Sequence, residues 1–297
     1  MLPLKVIASA PAWALLAGAS TWGVIWYPYR LLAHAGLDGL WSTILTYAVA
    51  LVVGVAIFPR AAASLVRMPP LALLMGAAIG WSNLAYVLAI LDGEVMRVLL
   101  LFYLAPLWTV PIARVALGER LDLHGVAVMA LAFTGAMIML WKPEIGWPWP
   151  RAKAEWLGLA AGFLFALGNV LVRRLQDMGD AAKSIVIWAG VVVAGLVHVH
   201  GSPMTTGDAM RVASGQASLV LGIGVGLLAM SLALQYGLSR LPANRAIVIL
   251  LFELVVATIA AYAFAGETLG AREAVGGAFI VAASLAGGRA KAPRPAT

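Results

Sequence analysis

Ten apolar runs, each about the length that crosses a bilayer as a helix, follow one another along the chain with polar breaks between them. They lie at 10–32, 38–58, 70–91, 95–117, 122–141, 154–175, 181–200, 215–238, 242–265 and 270–288, and each is predicted to be a transmembrane helix. The longest breaks are 142–153, which holds Trp147-Pro148-Trp149-Pro150, and 201–214. Most of the others are short, so consecutive helices are expected to be antiparallel neighbours.

The fourth run carries Pro106 and Pro111 and is followed by Gly118-Glu119-Arg120-Leu121. Proline inside a soluble helix costs about 3 kcal/mol. Transmembrane helices tolerate it, because neighbouring helices satisfy the backbone groups it frees. Composition agrees. The chain is 63% hydrophobic and 11% charged, against about 25% charged in a soluble domain. That is too little charge to clothe a water-facing surface, so lipid is the expected outer solvent. The absence of cysteine excludes disulfides, iron–sulfur clusters and cysteine nucleophiles. The first run is long enough to span, and it is read as a retained helix and not a cleaved signal.

The net charge of +7 is spread along the breaks, which argues for topology and against nucleic acid. Thirteen Lys and Arg fall on the side of the N-terminus: Lys5, Arg60, Arg67, Arg114, Arg120, Arg173, Arg174, Lys183, Arg240, Arg245, Arg289, Lys291 and Arg294. Seven fall opposite: Arg30, Arg97, Lys142, Arg151, Lys153, Arg211 and Arg272. The positive-inside rule then puts both termini in the cytoplasm of a multi-pass protein of the inner or plasma membrane.

The chain also repeats itself. At an offset of 143, Trp13, Leu16, Ala17, Arg30, Leu32 and Gly36 recur as Trp156, Leu159, Ala160, Arg173, Leu175 and Gly179. At an offset of 148, Leu84, Ala85, Arg97, Gly118, Glu119 and Leu121 recur as Leu232, Ala233, Arg245, Gly266, Glu267 and Leu269. Two five-helix units are expected, 1–145 and 150–290, followed by a short basic tail at 291–297. An odd number of spans per unit inverts the second unit relative to the first, the arrangement of transporters that bind substrate between halves. Gly118 and Gly266 are read as stops of the fourth helices. Glu119 and Glu267 are read as carboxylates at the dipole end of the fifth.

The stretch Leu101–Leu121, "LFYLAPLWTVPIARVALGERL", its weaker copy "ILLFELVVATIAAYAFAGETL" at 249–269 and the five-plus-five layout resemble the drug/metabolite transporter superfamily. Within it they are similar to the EamA-type exporters, and among those to YddG-type exporters of aromatic amino acids. The resemblance covers nearly the whole chain. It implies an all-α basket of ten helices with a cavity lined by the first, third and fourth helices of each unit, the fifth helices joining the halves. The chain departs at one place: the second copy has Glu253-Leu254 where the first has Ala105-Pro106.

Polar and aromatic residues at matched positions are the candidate substrate contacts. Trp22 and Trp26 match Phe165 and Asn169, each pair on one helix face. Asn83 matches Ser231; Tyr86 follows the first by three and Gln235 the second by four. Tyr103 and Trp108 flank Pro106. Together these suit a small solute with an apolar side chain and a polar head, although aromatics and small amides also serve plain helix packing. Glu253 is the one carboxylate placed halfway along a span, where ionised it costs about 3 kcal/mol. Two roles fit it: proton coupling, or a neutral buried carboxyl bonded to Asn169 or a backbone carbonyl.

No nucleophile–base set, nucleotide loop or cofactor motif is found, so an enzyme is not expected. "GIGVG" at 222–226 lies within a span with no strand before it. His198 and His200 point apart on a helix, so no metal site is read there. The leading expectation is a secondary active exporter of small organic solutes, aromatic or apolar amino acids first, working by alternating access. Its partners are the substrate and the lipid bilayer, and a monomer is the working expectation. A multidrug or quaternary-cation exporter is the alternative within the superfamily. An intramembrane enzyme would need more charged groups at depth than Glu253, and a passive channel fits the same pattern. Reporter fusions after residue 290 and within 142–153 should report opposite sides of the membrane. The same side for both would refute the ten-span topology.

Overall fold

The computed structural model describes residues 10–93, 95–141, 143–145, 149–265 and 270–288. Lys5, Lys142, Trp147, Gly266, Glu267, Leu269 and the tail 291–297 lie outside the described residues. Within the described ones the chain is helical and linked by short turns. In order the helices are α1 Ala10–His34, α2 Gly39–Ile57, α3 Pro59–Ser64, α4 Pro70–Asp92, α5 Val95–Phe102, α6 Ala105–Leu117 and α7 Leu123–Leu140. Then follow α8 Lys153–Arg174, α9 Asp180–His198, α10 Thr206–Gly215, α11 Ala217–Arg240, α12 Ala243–Leu250, α13 Phe252–Ala265 and α14 Ala271–Gly288.

Helix covers every run read as a span. Eight stretches among the described residues are long and apolar enough to cross a membrane by length and composition. These are Gly39–Ile57, Pro70–Ala89, Arg97–Leu117, Leu123–Leu140, Lys153–Arg174, Asp180–Gly201, Ala217–Arg240 and Ala243–Phe264. α1 and α14 fall outside that set. α1 is diluted by Trp, Tyr and Pro28, and α14 opens on Arg272-Glu273. The molecule is an all-α, multi-pass membrane protein.

Local chemistry sets the ends. Asp38 caps α2 by accepting from Leu40 N, and Asp122 caps α7 by accepting from Gly125 N at 2.7 Å. Gly118 ends α6 in the left-handed conformation, φ +69°, which glycine adopts without strain.

Two spans are broken, and at matching positions. The fourth run divides into α5 and α6 around Tyr103-Leu104, and the ninth into α12 and α13 at Leu251. Tyr103 plus the offset of 148 is Leu251. Pro106 explains the first break, because it has no N–H to give the Phe102 carbonyl four residues back. Gly162 of α8 lies against that carbonyl, so close that a Cβ there would overlap it. The second break has no proline or glycine within 247–257. Its turn is a tightened one, with Leu254 N bonding to Leu251 O at 3.1 Å.

The expectation of neighbouring consecutive helices is corrected by the packing. Instead, α4 packs on α8 and α9, α1 on α11 and α13, α2 on α9 and α11, α5 and α6 on α8, and α7 on α14. Every one of these pairings joins the first half to the second. Glycines explain it: in lipid, where no hydrophobic force draws helices together, close backbone approach supplies the attraction. A Cβ on Gly80 of α4 would overlap the Gly190 carbonyl of α9. A Cβ on Gly135 of α7 would lie 2.6 Å from the Gly276 carbonyl of α14, and one on Gly276 2.5 Å from the Gly135 carbonyl. Gly80→Leu and Gly135→Leu are therefore expected to cost at least about 1–3 kcal/mol by overpacking. Gly222→Leu, where a Cβ meets nothing within 4 Å, should be near neutral. Thermal unfolding in detergent checks the contrast.

Candidate functional site

The two helix breaks face a common cavity. Its walls are Phe102, Tyr103, Ala105 and Pro106 from the first break, Phe165 from α8, and Ile247, Leu250, Leu251 and Glu253 from the second. Its free volume of ≈ 10 Å³ is the room of about one water. One bond spans it: Tyr103 Oη donates to Glu253 Oε1 at 2.8 Å. Tyr103 is buried, whereas Glu253 is only partly enclosed. The bond joins a residue of the first half to one 150 positions later in the second.

Aromatic rings surround this pair. Phe102 is their hub, with ring centroids 5.1 Å from Tyr86, 5.2 Å from Tyr103 and 5.4 Å from Phe165. These are ordinary aromatic contact distances, with faces and edges presented to a common space. Such rings accept a flat apolar group or a cation.

The other sequence-read residues scatter. Trp22 packs with the cluster of α2, α9 and α11. Trp26 lies edge-on to Tyr27, with the Arg30 guanidinium 5.5 Å from its ring. Asn83 accepts from Tyr47 Oη at 3.3 Å and donates to the Ile79 carbonyl at 3.0 Å. Ser231 Oγ accepts from Trp188 Nε1 at 2.9 Å. Trp108 faces away, half-exposed, edge-on to Phe163. Asn169 and Gln235 are buried, each with a polar atom that has no hydrogen-bond partner. The bond read for Glu253 with Asn169 is corrected, because the partner is Tyr103. Phe102, Tyr47 and Trp188 were missed. Their aromatic letters in apolar runs look like packing residues, and no repeat match marks them.

Charged groups close the two ends of the bundle. At one end Arg97 and Glu155 form a buried pair, Nε–Oε1 2.7 Å and Nη2–Oε2 3.0 Å. Arg97 also donates to the Trp149 carbonyl, and Glu155 accepts from Arg151 N. Sequence reading counts Arg97 among the charges of the breaks, since it lies at the start of its helix. At the other end Glu119 corrects its expected role. It does not cap the fifth helix, whose cap is Asp122. The backbone N–H groups of Asn244 and Ala243, at the start of α12 in the other half, lie within reach of it, and Arg173 stands 3.8 Å away. Burial pushes the Glu119 carboxyl above the ordinary carboxylate range, with those donors and Arg173 pulling the other way. Nearby, fully buried Lys183 bonds to Ser239 Oγ and pairs with Asp180, which also binds Arg240 at 2.7 Å.

Among the described residues no group of three or more His, Asp and Glu is placed to hold a metal. Glu155→Gln should be strongly destabilising, by about 3–5 kcal/mol, because it strips a buried guanidinium of its carboxylate. Replacing both partners, Arg97→Met with Glu155→Leu, should recover much of the loss. Unfolding midpoints against the exposed control Glu144→Gln test this.

The geometry can be set beside known proteins. A solved crystal structure superimposes with a TM-score of 0.72 at 18% identity, covering 94% of this chain and 97% of its own. At that identity the likeness is one of fold. An uncharacterized transporter of Archaeoglobus fulgidus is 26% identical over 205 residues, which span 68% of this chain and 70% of that protein. Residues 152–286, nearly all of the second half, match the EamA-like transporter family, so the likeness of sequence is to membrane transporters.

Proposed function

We propose that the chain is a secondary active transporter that exports small organic solutes, aromatic or apolar amino acids first, by alternating access around the cavity at the two helix breaks. The observation that carries this is the Tyr103–Glu253 bond within the Phe102, Tyr86 and Phe165 rings, set between the halves. Substrate would part that bond or reshape the rings beside it. A hydrophobic or quaternary cation is the second reading, favoured by a carboxylate among aromatic faces.

The proposed frame is ten spans in two inverted five-helix units, 1–145 and 150–290, with both termini cytoplasmic. Packing supports it. If α1 is exchanged for α8, α2 for α9 and α4 for α11, the pairings of α4 with α8 and α9 become those of α11 with α1 and α2. The pairings of α2 with α9 and of α7 with α14 map onto themselves. The narrower YddG-type assignment rests on the sequence motifs, and a monomer contains every part of the site. Trp22, Trp26, Asn83, Ser231 and Trp108 are proposed to meet substrate elsewhere in its passage, since they lie off the cavity.

Glu253 is the proposed coupling group. Glu253→Gln keeps the shape and a hydrogen-bond partner for Tyr103, so the fold should persist. In proteoliposomes the variant should lose transport driven by a pH gradient and keep substrate counterflow. Gradient-driven transport at the unmodified rate would make the carboxyl structural. Equal partial loss of both activities would move Glu253 to the substrate-contact wall.

A further inference from the structure

Two buried amide side chains lie near the ends of neighbouring helices, and each leaves a polar atom unpaired. Asn169 of α8 is 6% exposed and Gln235 of α11 is 4% exposed. Nδ2 of the first and Oε1 of the second have no hydrogen-bond partner. Buried polar atoms are nearly always paired, because an unpaired one bears its whole desolvation cost. One of these is a donor and the other an acceptor.

Their placement follows from the helices. α8 and α11 pack together, and their last turns are joined by the bond from Arg173 Nη1 to the Ser239 carbonyl. Asn169 precedes Arg173 by four residues, and Gln235 precedes Ser239 by four. Four residues are one turn, about 6 Å along the axis and on the same face. Each amide therefore lies one turn inside the charged end, on the face of its helix that carries Arg173 or Ser239. One turn further in come Phe165, which lines the cavity, and Ser231, which is bonded to Trp188.

We infer that Asn169 and Gln235 form the head-group subsite for a zwitterionic α-amino acid. Asn169 Nδ2 donates to the carboxylate and Gln235 Oε1 accepts from the ammonium. The side chain lies one turn deeper against Phe165, Phe102 and Tyr103. This rests on the exporter reading and names the class of solute. A quaternary cation offers Asn169 no acceptor and Gln235 no N–H. A phosphate ester suits Asn169 and not the Gln235 carbonyl. A zwitterion supplies both complements side by side.

The test is equilibrium binding to the full-length protein in lipid nanodiscs, with L-phenylalanine and phenethylamine as probes. The two share ring and ammonium, and only phenylalanine has the carboxylate. Asn169→Leu should weaken phenylalanine roughly tenfold or more and phenethylamine less than about twofold, without lowering the unfolding midpoint, since no bond within the fold is lost. Gln235→Met should weaken both. If Asn169→Leu does not fold, Asn169→Asp is read instead: it should abolish phenylalanine binding and keep phenethylamine. Equal losses for both ligands in the Asn169 variant would overturn the subsite. So would unchanged phenylalanine binding with a lower midpoint, which makes the amides structural. A wild-type protein that binds no aromatic amino acid but transports a hydrophobic cation would overturn the amino-acid reading itself, and the subsite with it.

Discussion

A bilayer offers a broken helix no hydrogen bonds, so every backbone group freed at a break must be buried in protein or face a water-filled space. Among the described residues there are two such breaks, at Tyr103-Leu104 and at Leu251, in runs otherwise apolar enough to span. Neither can face lipid. The rest of the architecture follows from sheltering them. α8 lies against the first break, with Gly162 on the Phe102 carbonyl, and α1 against the second, with Gly23 on the Glu253 carbonyl. Each helix comes from the opposite half of the chain. The interlocked packing, in which neighbours in sequence are not the main neighbours in space, is thus the solution to two exposed backbones. It also concentrates polarity where the halves meet, and the Tyr103–Glu253 bond sits there.

The end networks have a different character. Arg97 with Glu155 at one end, and Glu119 with Arg173 and the start of α12 at the other, both tie first half to second. Buried ion pairs contribute little net stability, because desolvation offsets attraction, but they fix which partner sits where. In a chain whose core is mostly apolar and rich in Ala and Leu, such pairs can set the register of helices that apolar packing alone would leave free to slide.

Much of this was legible in the sequence, for definable reasons. Helix positions follow from run length, but the run at 95–117 reads as one helix that tolerates Pro106, and it breaks there instead. Glu253 stood out because a carboxylate at mid-span is costly enough to need a reason. The partners were not legible. Tyr103 lies 150 residues from Glu253, and nothing local distinguishes it from Asn169 as a donor. The second break was hidden because Leu251 is an ordinary helix former, and only its repeat relation to Tyr103 points there. Glu119 was misread because the helix nearest in sequence already has its cap in Asp122, which frees Glu119 to reach α12. Phe102 was invisible because a ring that walls a cavity and a ring that fills a core are the same letter.

The central claim is that the helix breaks enclose a space that opens to water at membrane depth. The chain has no cysteine, so single replacements can be read without background. Phe165→Cys on the cavity wall and Val225→Cys on the exposed face of α11 are the pair to compare. The measurement is the rate of reaction with a charged, membrane-impermeant thiol reagent applied to reconstituted protein from each side. The account predicts that Cys at 165 reacts from an aqueous side while Cys at 225, facing lipid, stays protected. Protection at 165 from both sides, or equal reactivity at the two positions, would contradict it.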